Sequence, residues 1–147
     1  MIDAAYTGFT TLAFLAWVVL IGFPSWAEVR ARVLGRAVPA LFAGAYVALL
    51  PALAVELAQA PDAFATLDGL AALLTANEAI VLAAWLHYLA FDLLVGRTVL
   101  DDGRSLGMPH RWLIAPLVFC FLAGPLGWLL FQGLRILWTR RTPSAAG

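Results

Sequence analysis

The chain has 147 residues, 63% of them hydrophobic and 12% charged, with nine basic and nine acidic side chains and a mean hydropathy of +0.91. A soluble domain carries about 25% charged residues, so the composition excludes a soluble enzyme, a disordered chain and a disulfide scaffold and points to a small polytopic membrane protein. With no basic excess, a nucleic-acid partner is excluded.

All the basic residues are arginines. The absence of lysine removes Schiff-base, pyridoxal-phosphate and phosphate-loop chemistry. Cys120 has no partner for a disulfide and sits in an apolar run, where it reads as a small core residue. Two histidines, His87 and His110, are too few for a membrane di-iron site and differ too much in depth for a bis-histidine haem, so neither metal nor cofactor is expected. Asp3 stands where a signal peptide would carry basic residues.

Four apolar segments follow in order, at residues 4–27, 37–56, 78–97 and 112–134. Each is near the length of about 20 residues that a helix needs to cross a bilayer, and a lone backbone in lipid must be helical. The expected fold is all-α, a single four-transmembrane-helix domain.

The first connection holds Arg30, Arg32 and Arg36, and the third Arg97, Arg104 and Arg111. The second holds only Asp62 and Asp68. Arginine-rich loops favour the cytoplasm. This places the first and third connections inside and both termini outside, with Arg135, Arg140 and Arg141 of the tail weighing against it. The second connection reads either as a short amphipathic surface helix or as a plain hinge.

Helices associate in lipid through close backbone contact and polar contacts. Ala40, Gly44, Ala48 and Ala52 form a smooth stripe suited to such contact, including a homo-oligomer. Pro51 and Pro125 each remove a backbone donor inside a span. Gly124-Pro125-Leu126-Gly127 is expected to kink the fourth helix and free the carbonyl of Phe121, either as a packing kink or as a widened pocket with an exposed acceptor.

The third span carries the chemistry-bearing residues. It reads Trp85-Leu86-His87-Tyr88-Leu89-Ala90-Phe91-Asp92, continuing to Gly96-Arg97. An ionisable residue within a span is costly and usually faces the bundle interior. At about 100° per residue, Trp85, Asp92 and Gly96 share one face, with Tyr88 beside it, and His87 and Phe91 share another. Asp92 is expected either to pair with an arginine near its membrane face, such as Arg97, or to act as an acid or base. His87 is either a hydrogen-bonded core residue or the partner acid. Asn77 and Glu78 read as a helix cap. The six tryptophans, Trp17, Trp26, Trp85, Trp112, Trp128 and Trp138, suit either interface anchors or a pigment pocket.

Trp85, His87-Tyr88, Ala90-Phe91-Asp92-Leu93 and Gly96-Arg97, with Gly124-Pro125-Leu126-Gly127, Pro116 and Pro24-x-Trp26, together resemble the membrane family of the plant abscisic-acid-deficient-four protein, the neoxanthin-synthase-like proteins. The chain departs from the family pattern at Leu94 and Thr98, where an aromatic is expected. The resemblance implies a four-span protein of carotenoid and xanthophyll metabolism. Its activity would be the isomerisation of an epoxide end group to an allene, which needs no redox cofactor. His87 and Asp92 would be acid and base, with Tyr88 an oxygen donor and Trp85, Phe91, Arg97, Gly124, Pro125 and Gly127 lining or supporting the pocket. The membrane partner is then a carotenoid-like lipid. A non-catalytic pigment or lipid binder and a small accessory membrane subunit are the other readings. No plastid transit peptide is evident, so the expected location is a bacterial inner membrane.

Overall fold

The structure, a computed structural model, describes residues 1–23 and 36–141, and the segments 24–35 and 142–147 lie outside that description. Pro24 and Trp26 of the family pattern, and the arginines at 30 and 32, fall in the undescribed part. The described residues are helical with no strand: α1 Ile2–Gly22, α2 Val38–Gln59, a single 3₁₀ turn Ala63–Ala65, α3 Leu67–Thr75, α4 Glu78–Ser105, α5 His110–Leu122 and α6 Gly124–Arg141.

Three of these, α1, α2 and α4, are long and apolar enough to cross a membrane. Pro39 enters α2 in its first turn, where no intrahelical donor is lost. The second connection forms a helix rather than a hinge. Thr66 caps α3 by accepting from the Gly69 amide at 3.0 Å, and Leu73 turns inward against Ala63 and Ile80. Asn77 caps α4 as its sequence suggests, its side-chain oxygen accepting from the amides of Ala79 and Ile80. The Asn77 amide also donates to Glu56 at 3.0 Å, tying the end of α2 to the start of α4.

Helix α4 touches every other helix and is the axis of the bundle. Its buried residues recur at helical spacing: Leu82, Leu86, Leu89, Leu93 and Leu100. It runs well past the expected end at Arg97, because Arg97 and Asp101 form an i,i+4 pair at 2.9 Å that carries the helix beyond the apolar region. Gly107, at φ +67°, then closes the turn into α5 in a conformation that a side chain would strain.

The fourth apolar segment is not one kinked helix. The chain reverses at Ala123, which is extended (φ −163°, ψ 90°), and α6 folds back along α5. Gly127 lies directly against Cys120 and the Pro116 carbonyl, too close for any Cβ. The Trp138 indole donates to the Leu106 carbonyl at 3.1 Å, and Arg135 reaches Asp102 at 3.8 Å. The start of α5 and the end of α6 therefore lie together. At about 1.5 Å per residue, the 13 residues of α5 rise only about 20 Å, short of a bilayer core of about 30 Å. α5 and α6 form a hairpin whose tip stops beside the middle of α4.

This reversal puts the tail at the end of the bundle where α4 stops, whereas a continuous fourth span would put it at the opposite end. Arg36, Arg97, Arg104, Arg111, Arg135, Arg140 and Arg141 sit at the end of the bundle where α4 stops and α6 returns. The opposite end carries Asp3, Glu56, Asp62, Asp68 and Glu78 and, among the described residues, no arginine. The tail arginines thus share one end of the bundle with those of the third connection.

The Ala40, Gly44, Ala48 and Ala52 stripe faces outward on α2, and nothing stands within 4 Å of a Cβ placed at Gly44.

Candidate functional site

Two faces of α4 divide the sequence-predicted residues. On the first, Trp85 and Tyr88 stack with ring centroids 5.4 Å apart, and Tyr6 of α1 packs against Trp85 at 6.0 Å. The Trp85 indole donates to the Thr10 hydroxyl at 3.0 Å, which fixes the ring against α1. Two turns beyond Tyr88 along α4, Gly96 receives the ring of Trp17, with no room for a side chain. Between these lies Asp92.

Asp92 is the one buried charged residue among those described, 6% exposed. Its carboxylate lies directly against Gly124 at the hairpin tip, and one oxygen, Oδ2, is buried without a hydrogen-bond partner. The Tyr88 hydroxyl, one turn before it, donates to the Leu122 carbonyl at 3.1 Å and stands beside the Asp92 carboxyl. Cys120 comes close from α5, its thiol directed at the Gly124 carbonyl at 3.8 Å. The expected arginine partner is not there: the described residues show no ion pair at Asp92, and Arg97 turns to Asp101 instead. An unpaired acid at this depth costs several kcal/mol if ionised. The hairpin break supplies what the site needs in its place, namely a glycine that admits the carboxylate and a helix start that favours negative charge.

On the second face His87 stacks on Phe91 at 4.5 Å and packs against Tyr46 of α2 at 5.6 Å. Both His87 and Phe91 are exposed at the bundle's surface. The structure brings Trp85, Tyr88, Asp92, Gly124 and Gly127 together around the hairpin. It leaves His87 and Phe91 on the far side and Arg97 at the arginine-bearing end. Pro125 occupies the first turn of α6, next to the reversal. Of the two readings for the Gly-Pro break, the tip does offer a backbone acceptor, but the carbonyl that is used belongs to Leu122 rather than Phe121.

An apolar cavity of about 740 Å³ runs along this site between α1, α3 and α4. Tyr6, Leu74, Val81 and Trp85 form its walls, Asp3 and Glu78 stand at its mouth, and Tyr88 closes its inner end. Ligand pockets typically measure about 300–1,000 Å³. Among the described residues, no three His, Cys, Asp or Glu side chains converge as a metal site. Thr10 and Tyr6 were not singled out from the sequence. The signal available was a cluster of hydroxyl-bearing residues, Tyr6, Thr7, Thr10 and Thr11, in an otherwise apolar span.

The ABA DEFICIENT 4-like family model matches residues 4–131, which is most of the chain and includes α4 and the hairpin tip. The chain belongs to this family. No curated protein and no solved structure matches it. The family match takes in every residue of the Trp85–Tyr88–Asp92 face and both Gly124 and Gly127 at the hairpin tip, so the ABA DEFICIENT 4-like identity covers the site as well as the spans.

Proposed function

We propose that this protein acts in carotenoid metabolism in a bacterial inner membrane, isomerising an epoxide-bearing xanthophyll or a related lipid without a redox cofactor. The observation that supports this reading most is the Tyr88 hydroxyl at the inner end of an apolar cavity, backed by Asp92, a buried carboxyl with an unpartnered oxygen that lies behind Tyr88 and outside the cavity lining. Family membership supports the substrate class.

Opening an epoxide to an allenic alcohol requires one proton delivered to oxygen and one removed from carbon. An end group at the inner end of the cavity meets the Tyr88 hydroxyl first and must pass it to reach the Asp92 carboxyl, which lies buried one turn further along α4, outside the cavity lining. Tyr88 gives its proton to the epoxide oxygen as the carbon–oxygen bond breaks. Asp92 takes the proton from the neighbouring carbon as the new double bond forms. Transfer of that proton from Asp92 to the phenolate restores both groups, so atoms and electrons balance with no co-reactant. His87 has no part in this scheme, since it faces away from Asp92.

The test is a pigment extraction from carotenoid-producing bacteria with and without the protein, analysed by chromatography and mass spectrometry. A new isomer of unchanged mass, lost with Asp92→Asn, is the expected result. Pigment recovered unaltered on the purified protein would replace the isomerase with a binder.

A further inference from the structure

We infer that the cavity takes an uncharged lipid from the bilayer leaflet opposite the arginines, and that the hairpin closes the site to the arginine-bearing side. The inference rests on the reading above for its site but not for its chemistry. It combines three observations.

The first is position. The cavity opens between the start of α1, the end of α3 and the start of α4, all at the arginine-free end of the bundle. From Glu78 at the mouth to Tyr88 at the inner end is ten residues, about 15 Å of helix rise. The cavity thus penetrates about half the thickness of a bilayer core.

The second is the plug. Beyond Tyr88 the path toward the other side is filled by the hairpin. Leu122 accepts from Tyr88, Gly124 meets Asp92, and Phe121 packs on Trp17 at 5.8 Å. Leu113 and Leu117 of α5 and Phe131 of α6 are fully buried below the tip. A ligand that reaches Tyr88 has come from the arginine-free leaflet.

The third is charge. An anionic head group, a phosphate or a carboxylate, needs a cation or free amide donors when it leaves water. Among the described residues, none of the arginines stands at the cavity's end of the bundle, and the mouth presents the carboxylates of Asp3 and Glu78 instead. These acids already occupy the first turns of α1 and α4, where the helix dipoles would otherwise attract an anion. Phospholipids and fatty acids are therefore disfavoured. A neutral apolar body fits, and a hydroxyl head can donate to either carboxylate.

Sidedness is tested by single-cysteine labelling with a membrane-impermeant maleimide, in right-side-out and inside-out vesicles from a bacterial host. The wild type, whose Cys120 is buried, gives the blank. Asp68→Cys is expected to label in right-side-out vesicles, and Ser105→Cys and Thr139→Cys only in inside-out ones. Thr139→Cys labelling with Asp68→Cys would remove the hairpin plug, and Asp68→Cys labelling from the same side as Ser105→Cys would put the cavity mouth and the arginines at one leaflet. Either overturns the inference.

Selectivity is tested with retinol and retinoate, which share a ring and polyene and differ in head charge. Each is titrated into protein in bilayer nanodiscs at pH 8, read by energy transfer from tryptophan. Retinol is expected to bind at least about tenfold more tightly than retinoate, a difference of about 1.4 kcal/mol. Ala84→Phe, which fills the cavity from a site remote from Asp92, is expected to weaken retinol by a similar factor while leaving the helical circular-dichroism signal intact. Equal binding of the two probes, binding of neither, or insensitivity to Ala84→Phe overturns the inference. Labelling and binding are read without turnover, so an inactive protein that passes both tests sinks only the isomerase.

Discussion

The carboxylate of Asp92 lies against Gly124, so the one buried acid of the third span is seated at the only place where the fourth apolar segment breaks. A Cβ at Gly124 would overlap Oδ1 and stand 3.0 Å from the carboxyl carbon. Neither residue makes sense alone. Without the glycine the acid has no room, and without the reversal the acid would face the side of a continuous helix.

Gly124→Ala should therefore destabilise the folded protein by about 1–3 kcal/mol, the usual cost of overfilling a packed site. The double variant with Asp92→Ala should lose much less than the sum of the two single changes, because it removes the overlap. Thermal unfolding in detergent measures both. Additive losses would mean that Gly124 is required for the chain reversal and not for the acid.

The arrangement at the tip also separates the two candidate acids of the third span. Asp92→Asn keeps shape and hydrogen bonding but cannot accept a proton, and turnover should fall by roughly 10²–10⁴ with the fold retained. Tyr88→Phe should lower turnover similarly and cost about 0.5–1.5 kcal/mol from the lost bond to Leu122. His87→Leu, at an exposed position on the opposite face, should leave turnover unchanged. Product quantification with violaxanthin as substrate decides among them, and a dead His87→Leu that still folds would bring His87 back into the mechanism.

What could be read in advance follows from what hydropathy encodes. The three spanning helices were legible because lipid demands runs of apolar residues, and the Asn77 cap was legible because it is a local side-chain device. The end of α4 was not, because hydropathy marks where the membrane stops, whereas the Arg97–Asp101 pair keeps the helix going beyond it. The Gly-Pro break was visible as a break. Its angle was not, because the reversal depends on Gly127 meeting Cys120 and on Trp138 reaching Leu106, contacts between residues distant along the chain. The same contacts explain the tail arginines, which conflicted with the arginine-inside rule only while the fourth segment was taken to cross. At the site, the shared face of Trp85 and Asp92, with Tyr88 beside it, followed from helical periodicity. The split from His87 also followed, but the missing arginine partner of Asp92 did not, because pairing is decided by side-chain reach across helices.

The hairpin itself is open to a direct comparison of two glycines in α6. At Gly127 a Cβ would meet the backbone nitrogen of Cys120 and the Pro116 carbonyl, neither of which can swing away. At Gly133 it would meet nothing within 4 Å. Gly127→Ala should pry the two arms apart and cost at least about 2 kcal/mol. Gly133→Ala should be neutral or slightly stabilising, since alanine favours helix by up to about 1 kcal/mol. Unfolding temperatures of the pair give the answer, and equal behaviour would rule out close packing between α5 and α6.

Thr10 offers a last test, because it touches Trp85 and nothing in the proposed chemistry. Its hydroxyl accepts the Trp85 indole proton at 3.0 Å, Trp85 stacks on Tyr88, and Tyr88 carries the hydroxyl beside Asp92. Thr10→Val keeps the volume and removes the acceptor, leaving a partly buried indole N–H without a partner at a cost of about 1–3 kcal/mol. The freed ring should shift the tryptophan near-ultraviolet dichroism and lower kcat more than it raises KM, since only one of the cavity walls, Trp85, is loosened while the Tyr88 hydroxyl loses its fixed position. Thr10→Ser, which restores the acceptor without the methyl group, should recover both signals. A Thr10→Val protein with normal kcat would show that the stack holds Tyr88 unaided, and failure of serine to rescue would assign the effect to packing against α1 instead of to the hydrogen bond.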